Sequence, residues 1–188
     1  MNRGPDPGVG PYQFDICWQQ AGLTKAPSRV VVTGGNGAGK TVAAAAFAGQ
    51  SGLPLYHKDA LVLTSNWQTR PAAEVRAALV AIAKTDGWII DMGPAEIPGL
   101  IEDRADLVLW LDPPILRRIW RVFWRSVQYI GRTRPELPPG NRDWPGIRQM
   151  RFVTGVWRSR RMVDQSLTAL SERGNVPVLR LRDAGVTD

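Results

Sequence analysis

The residues best suited to chemistry lie between positions 34 and 41, where the chain reads Gly34-Gly35-Asn36-Gly37-Ala38-Gly39-Lys40-Thr41. Glycines allow successive backbone N–H groups to converge on phosphate oxygens without side chains in the way. Lys40 can reach the β- and γ-phosphates of a nucleotide, and the Thr41 hydroxyl can ligate Mg²⁺. The spacing therefore predicts a phosphate-binding loop, or Walker A motif, for ATP or GTP. The predicted nucleotide-binding residues are Gly35, Asn36, Gly37, Ala38, Gly39, Lys40 and Thr41.

The elements on either side of this loop strengthen the prediction. Residues 29–33 form a short β-branched run that ends at glycine, which is typical of a buried parallel strand. The alanine-rich residues 41–50 favour a helix. A helix that begins directly after the loop adds free N–H donors and the positive end of its dipole to the phosphate site.

Two acids and a histidine are further candidates. Asp91 ends the apolar run 88–91, and we expect it to hold Mg²⁺, usually through water; the alternative is an exposed strand-end acid or a helix cap. Asp59 follows the short predicted strand 55–57 and can bind a phosphate acceptor or take its proton as general base; the alternative is a solvated loop acid. His57 is the one histidine, and we interpret it as a packed or hydrogen-bonded neighbour rather than a catalyst. Asp112, which precedes Pro113, predicts the N-cap of the next helix.

Arginines are dense between positions 117 and 161, where lysine is absent and only Glu136 and Asp143 oppose them. On a predicted helix over residues 113–130, Arg118, Arg121 and Arg125 share one side. Arg132 and Arg134 lie in the Gly- and Pro-rich stretch 131–145, which predicts a loop. Arginines carried by a mobile lid, here residues 117–145, can neutralise the charge that develops in phosphoryl transfer.

The predicted catalytic residues are Lys40, Asp59, Arg121, Arg125 and Arg134, and the predicted metal ligands are Thr41 and Asp91. The alternative for the arginines is a solvated basic face, which is our interpretation of Arg117. A second cluster, Arg158, Arg160 and Arg161, has a weaker claim to a phosphate-binding role. A tryptophan in this region, or Trp67, can stack on a base or an acceptor ring.

The remaining segments alternate between strand and helix, which predicts an α/β fold: a three-layer P-loop NTPase sandwich with about five parallel strands. The other predicted elements are strands at 107–111 and 178–181 and helices at 71–84 and 146–173. Residues 1–28 are rich in Gly, Pro and polar side chains, and we expect a flexible tail, with an apolar island at 14–18 that can dock on a domain spanning 29–188.

Composition sets further limits. The 188-residue chain has a net charge of +7 and a pI near 10.3, so an anionic partner is expected. The single cysteine excludes an internal disulfide, no apolar run is long enough to cross a bilayer, and the N-terminus lacks the apolar stretch of a secretory signal. A cytoplasmic protein without a membrane partner is the simple interpretation. Its oligomeric state is open.

Several segments beyond the loop support a resemblance to a known group. They are 53–60, Trp67, 88–91, 109–112, 121–125 and 131–135. Together the segments from about 29 to 182 resemble the adenylate-kinase-like P-loop proteins called topology modulation proteins. The resemblance implies a nucleoside- or nucleotide-kinase-like fold and the use of ATP. The chain departs from the pattern at Met92, where these relatives place glycine directly after the aspartate.

Two classes of function follow. The first is a Mg²⁺-dependent kinase that transfers the γ-phosphate of ATP to a small molecule, with a nucleoside- or nucleotide-type acceptor favoured. The second is a nucleic-acid-associated ATPase, in which interleaved arginines and tryptophans bind a phosphate backbone and stack bases. We favour the kinase because a lid needs arginines in any case, and because no helix-turn-helix or zinc-ligand pattern is present.

Overall fold

The computed structural model describes residues 13–97, 99, 101–142 and 155–182. Five parallel strands form one sheet in the order β2-β3-β1-β4-β5. Their bounds are β1 Arg29–Gly34, β2 Leu55–His57, β3 Trp88–Asp91, β4 Leu107–Leu111 and β5 Val178–Leu181. All five predicted strands are therefore confirmed, and β1, which leads into the glycine loop, lies at the centre of the sheet.

Helices cover the sheet and its carboxyl edge. Their bounds are α1 Phe14–Gln20, α2 Lys40–Ser51, α3 Lys58–Val62, α4 Ala72–Ala83, α5 Ile115–Gln128 and α6 Arg160–Arg173. Short 3₁₀ turns occupy Ser65–Trp67 and Pro94–Glu96. Of the helix predicted over 146–173, residues 146–154 lie outside the described part of the chain. No helix among the described residues has the length and apolar character needed to cross a membrane.

Side chains along β1 alternate between the two faces of the sheet, and this divides the core into two layers. Val30 and Val32 point toward α1 and α2, where they pack with Phe47. Val31 points the other way and packs with Leu167 of α6. All of these side chains are fully buried, so both faces of the central strand are covered by helices. The predicted three-layer α/β sandwich is confirmed.

Part of the segment that we expected to be a tail is folded. Phe14 and Cys17 of α1 are 4% and 6% exposed and belong to the core on the α2 side of the sheet. The Phe14 ring lies 5.6 Å from the ring of Phe47, and the Phe14 backbone N–H donates to Gln50 Oε1 at 2.7 Å. The apolar island therefore docks through ring packing and a hydrogen bond. The division of the chain at residue 28 stays a prediction, and residues 1–12 lie outside the described part.

The N-cap prediction for Asp112 is wrong. Helix α5 begins at Ile115 with Pro114 at the N-cap position, and no side chain caps it. Asp112 instead accepts hydrogen bonds from Arg180 Nε and Nη2 at 3.0 and 2.6 Å. A charged partner on the neighbouring strand β5 outcompetes the local backbone, since charge-assisted pairs are the stronger hydrogen bonds.

Candidate nucleotide site

The glycine loop joins the end of β1 to the start of α2 and depends on glycine at particular positions. Gly37 and Gly39 have φ angles of 76° and 94°, in the left-handed region that favours glycine. Gly34 has φ 143°, and a Cβ there would lie 2.3 Å from the carbonyl oxygen of Leu111. The loop is thus tightly packed against the end of β4, and its last glycine is the N-cap of α2.

Helix α5 supports the outer side of this loop. Arg118 is 3% exposed, and its Nε donates to the carbonyl of Asn36 at 3.1 Å. A Cβ on Gly35 would lie 1.8 Å from Arg118 Nη2, so the guanidinium occupies the space that a side chain would need. One helical turn later, Arg121 Nη1 donates to the carbonyl of Ala38 at 3.1 Å. Two arginines of one helix therefore hold the carbonyls of the loop.

The buried environment of Arg118 is costly for its charge. Burial lowers the pKa of this guanidinium, and Nη2 has no hydrogen-bond partner among the described residues. A buried cation with an unmatched donor is tolerated where surrounding contacts hold it in place. Sequence reasoning placed Arg118 on the same helix side as Arg121 but did not assign it to the site. Its spacing of three residues from Arg121 is the signal that could have identified it.

Lys40 opens α2 and folds back over the loop. Its Nζ donates to the carbonyl of Gly35 at 3.2 Å. Burial lowers the pKa of the Lys40 ammonium, although Asp91 and Asp59 oppose that shift electrostatically. The cation lies where it can meet phosphate oxygens, which would add to the negative charge of Asp91 and Asp59.

Thr41, Asp91 and His57 converge beside Lys40. The Thr41 hydroxyl donates to Asp91 Oδ2 at 2.7 Å, and His57 Nδ1 lies 3.2 Å from the same oxygen. Strand pairing explains the second contact, because His57 and Asp91 are register partners at the carboxyl ends of β2 and β3. The hydrogen bond with Asp91 is the main cause of the raised pKa of His57. His57 is thus a hydrogen-bonded neighbour of the predicted metal ligand.

The two predicted metal ligands suit Mg²⁺ better than a softer ion. A hydroxyl and a carboxylate present oxygen atoms 2.7 Å apart beside the phosphate loop. Among the described residues there is no cluster of three or more His, Cys, Asp or Glu side chains that could hold a metal by themselves. Mg²⁺ usually combines one or two protein oxygens with water and substrate phosphates, so this sparse donor set fits it.

A cavity of about 470 Å³ continues from the phosphate loop into the gap between β2, β3 and residues 131–142 of the predicted lid, here called the lid loop. It brings together most of the predicted site: Lys40, Thr41, Asp59, Asp91, Arg125 and Arg134 line it, with His57, Trp67 and Glu136. Arg121 lines a neighbouring cavity on the other side of the loop. Asp59 therefore faces the same space as the phosphate loop.

The lid loop closes one side of this cavity. Residues 131–142 contain no helix and only an isolated bridge between Thr133 and Arg142, which confirms the loop prediction for the described part. Arg134 is 9% exposed, and its guanidinium carbon lies 5.9 Å from the centroid of the Trp67 ring. The arginine thereby lies beside Trp67 at the wall of the cavity.

Asn141 ties the lid loop to the segment that carries Trp67. This fully buried side chain donates to the carbonyls of Thr64 and Pro138 at 2.7 and 2.9 Å and accepts a hydrogen bond from the Trp67 backbone N–H. In the same segment Asn66 and Trp67 have positive φ angles of 55° and 60°. No sequence pattern indicates this role for Asn141, because two of its three partners are backbone groups more than seventy residues away along the chain.

The structure also locates two other features of the sequence, Met92 and the second arginine cluster. Met92, which replaces the glycine of the resembled pattern, is 2% exposed and packs in the core, and it also lines the cavity at the phosphate loop. Arg158, Arg160 and Arg161 line a separate cavity with Trp157, and none of the three is among the residues that line the cavity at the phosphate loop. Trp144 and residues 143–145 of the predicted lid lie outside the described residues.

The glycine loop after the central strand, with the observed strand order, gives this chain a P-loop NTPase fold of the kinase-like type. No protein-family model matches the sequence, and no curated protein matches it significantly, so membership of the topology modulation group stays a prediction.

Three solved structures illustrate the fold similarity. A shikimate kinase from Acinetobacter baumannii in complex with shikimate has 12% identity and a TM-score of 0.49, over 83% of this chain and 84% of that chain. A shikimate kinase from Bacteroides thetaiotaomicron has 19% identity and a TM-score of 0.46, over 80% and 100%. A deoxyadenosine kinase from M. mycoides with bound dATP has 12% identity and a TM-score of 0.49, over 82% and 90%. At these values the similarity carries no functional information about this chain.

Proposed function

We propose that this chain is a P-loop phosphotransferase that moves the γ-phosphate of ATP or GTP to a small molecule. The observation that carries the proposal is the 470 Å³ cavity, in which Lys40 and Thr41 of the loop face the same space as Asp59 and Asp91. A site for hydrolysis alone needs no acceptor pocket. Here the cavity extends from the phosphate loop to Trp67 and the lid loop, where a second substrate can bind.

On the donor side, the loop and Lys40 bind and orient the phosphates. The backbone N–H groups of residues 35–41 surround the β-phosphate, and Lys40 Nζ exchanges its contact with the Gly35 carbonyl for phosphate oxygens. Thr41 and Asp91 would hold Mg²⁺. When bound, the ion neutralises charge on the phosphates and fixes their geometry.

On the acceptor side, Asp59 serves as the general base. It accepts the proton of an acceptor hydroxyl while that oxygen forms a bond to the γ-phosphorus. The bond from the γ-phosphorus to its bridging oxygen breaks, and the nucleoside diphosphate leaves. Asp59 lies at the start of α3, directly after the strand that carries His57, and it lines the cavity with Lys40, which supports its assignment.

Arginines stabilise the charge that develops during transfer. Arg125 and Arg134 line the cavity from α5 and the lid loop, which suits contact with the transferring phosphoryl group. Arg121 approaches from the other side of the loop, where it already donates to Ala38. We expect its contribution to come through the nucleotide, because the neighbouring cavity that it lines contains loop residues but not Asp59.

The alternative is a nucleic-acid-associated ATPase, and one observation favours it. Trp157, Arg158, Arg160 and Arg161 are exposed together beside a cavity of about 640 Å³. Arginine with exposed tryptophan can bind single-stranded nucleic acid. However, Arg118, Arg121, Arg125 and Arg134 contact the loop or line the cavities beside it, so much of the basic stretch has a role without nucleic acid.

A coupled ADP-release screen tests the proposal. Nucleosides, nucleoside monophosphates and small hydroxylated metabolites are each added separately to the protein with MgATP. Single-stranded DNA is tested in a parallel assay. We expect one acceptor class to stimulate ADP release, and Asp59→Asn to abolish that stimulation while ATP still binds. Stimulation by DNA alone, with retention on DNA at physiological ionic strength, would establish the alternative.

A further inference from the structure

A second cavity adjoins the phosphate loop on the side away from Asp59. Its volume is about 510 Å³. The loop and the first turn of α2 form one wall, and α5 forms the other. The lining residues are Gly37, Gly39, Lys40, Thr41, Val42, Trp120, Arg121, Trp124, Arg125, Gln128, Tyr129 and Glu136. Since Lys40 and Thr41 also line the acceptor-side cavity, the two spaces meet at the phosphate-binding residues.

Two tryptophans of α5 face this second cavity. Trp120 and Trp124 are 60% and 49% exposed, which is unusual for such large apolar side chains. They lie one helical turn apart, their ring centroids are 6.0 Å apart, and their planes differ by only 17°. Two nearly parallel indoles therefore present broad apolar surface directly beside a loop that is built for phosphate.

A ligand that fills this space must combine phosphate with a flat, partly apolar group. Its phosphates would occupy the loop, and its remainder would extend along α5 to the indoles. A nucleotide has this chemistry, because every base has a π-face that can stack on an aromatic side chain. The positive charge of Arg121 and Arg125 on the same wall suits the phosphate end of such a ligand.

We propose that Trp120 and Trp124 form the stacking platform for the base of the donor nucleotide. This inference rests on the proposed function and explains how the site distinguishes a nucleotide from bare polyphosphate. The lining also offers the Gln128 amide and the Tyr129 hydroxyl to the edge of the base. Purines gain more than pyrimidines at this site, because their two fused rings cover more of the indole surface.

The same helix supplies a matched control. Phe123 is 51% exposed and its ring lies 6.0 Å from that of Trp120, but it does not line the cavity. Replacing Phe123 removes a similar amount of exposed aromatic surface that neighbours Trp120 but lies outside the cavity. All three aromatic residues are substantially exposed, so their replacement by leucine should leave the fold intact.

Calorimetric affinities for ATP, CTP and inorganic tripolyphosphate, each with Mg²⁺, test the inference. In the wild type we expect ATP to bind at least about 10-fold more tightly than tripolyphosphate, from the usual strength of base stacking. Trp120→Leu and Trp124→Leu should narrow that gap by weakening ATP binding, while tripolyphosphate affinity stays unchanged. Phe123→Leu should change neither the ATP affinity nor the tripolyphosphate affinity. In the tryptophan variants, the affinity for CTP should fall less than the affinity for ATP.

The outcomes separate this inference from the proposed function. Equal affinity for ATP and tripolyphosphate in the wild type would overturn the platform while leaving the phosphate loop intact. The platform would also be overturned if the tryptophan variants lost as much affinity for tripolyphosphate as for ATP. The same holds if Phe123→Leu lost as much ATP affinity as the tryptophan variants. Failure of tripolyphosphate and ATP alike to bind the wild type would refute the phosphate site itself, and the platform with it.

Discussion

Arg118 of α5 and Gly35 of the phosphate loop are in direct contact, so that a Cβ at position 35 would lie 1.8 Å from Arg118 Nη2. The relationship means that the loop requires glycine at position 35 because of a side chain more than eighty residues away along the chain. The helix that carries Arg118 also lines both cavities at the loop, so the loop conformation and the position of α5 depend on one another.

The first prediction follows from this contact. Gly35→Ala should force the buried guanidinium from its place and lower the free energy of unfolding by about 1–3 kcal/mol, the usual cost of overpacking. Arg118→Ala in the same chain should recover part of the loss, so a double-mutant cycle measured by urea unfolding should give a coupling free energy above about 0.5 kcal/mol.

Gly49 provides the control for this cycle. It lies in α2 with no atom within 4 Å of an added Cβ, so Gly49→Ala should be neutral or stabilising. Additive effects of Gly35→Ala and Arg118→Ala would show that the two residues do not constrain one another.

The glycine loop and all five strands could be predicted from sequence, because glycine spacing and runs of β-branched residues are local signals. Helical spacing also grouped Arg118 with Arg121 and Arg125, but the burial of Arg118 could not be predicted. Leu116, Phe123 and Val127 are more than 40% exposed, whereas Arg118 is buried beside Val122, so this helix departs in part from the usual amphipathic pattern. The loop carbonyls that attract the arginines come from a distant part of the chain, and local periodicity does not encode such contacts.

The second prediction concerns Asp91 and Mg²⁺. Asp91→Asn should raise the Mg²⁺ concentration needed for half-maximal ATP turnover by about 10- to 100-fold, since a neutral amide binds the ion and its water shell less well. Asp112→Asn is the control: this acid ends the next strand but pairs with Arg180 at 2.6 Å. It should change stability without shifting the Mg²⁺ titration. Identical titrations for Asp91→Asn and the wild type would remove Asp91 from the metal site.

The third prediction concerns pH. Because the hydrogen bond with Asp91 raises the pKa of His57, the protonated imidazole stabilises the fold. That stabilisation should be complete below the unfolded-state pKa of about 6.5 and should disappear as pH rises through the folded-state pKa. Urea unfolding should therefore show a larger deficit for His57→Gln at pH 5.5 than at pH 8.5.

The effect of Asp91 on the pKa of His57 can also be measured directly by NMR. The chain has 1 histidine, so its imidazole NMR signal needs no assignment by mutation. Its titration midpoint should lie above the ordinary value and return toward it in Asp91→Asn. A midpoint that is the same in both proteins would mean that Asp91 does not stabilise the imidazolium.

The fourth prediction concerns the lid loop. Asn141→Ala leaves the carbonyls of Thr64 and Pro138 and the N–H of Trp67 without their buried partner, which should cost about 1–3 kcal/mol. Hydrogen exchange should rise in both 131–142 and 63–69. Arg142→Ala is the control, because it keeps the Arg142 backbone carbonyl that accepts a hydrogen bond from Trp67 Nε1 at 3.0 Å. Faster exchange in one segment alone would show that Asn141 does not join them.

The central claim is phosphate transfer at the loop, and the fifth prediction tests it. The measurement is transfer of labelled γ-phosphate from ATP to an acceptor in the wild type, Lys40→Ala and the exposed-residue control Lys84→Ala. Loss of the Lys40 charge should reduce turnover by about 100-fold or more, since it removes a group that stabilises the transferring phosphate. The melting temperature should change little, because burial already disfavours that charge in the free protein. We expect Lys84→Ala to transfer phosphate at the wild-type rate, and wild-type transfer by Lys40→Ala would contradict the account.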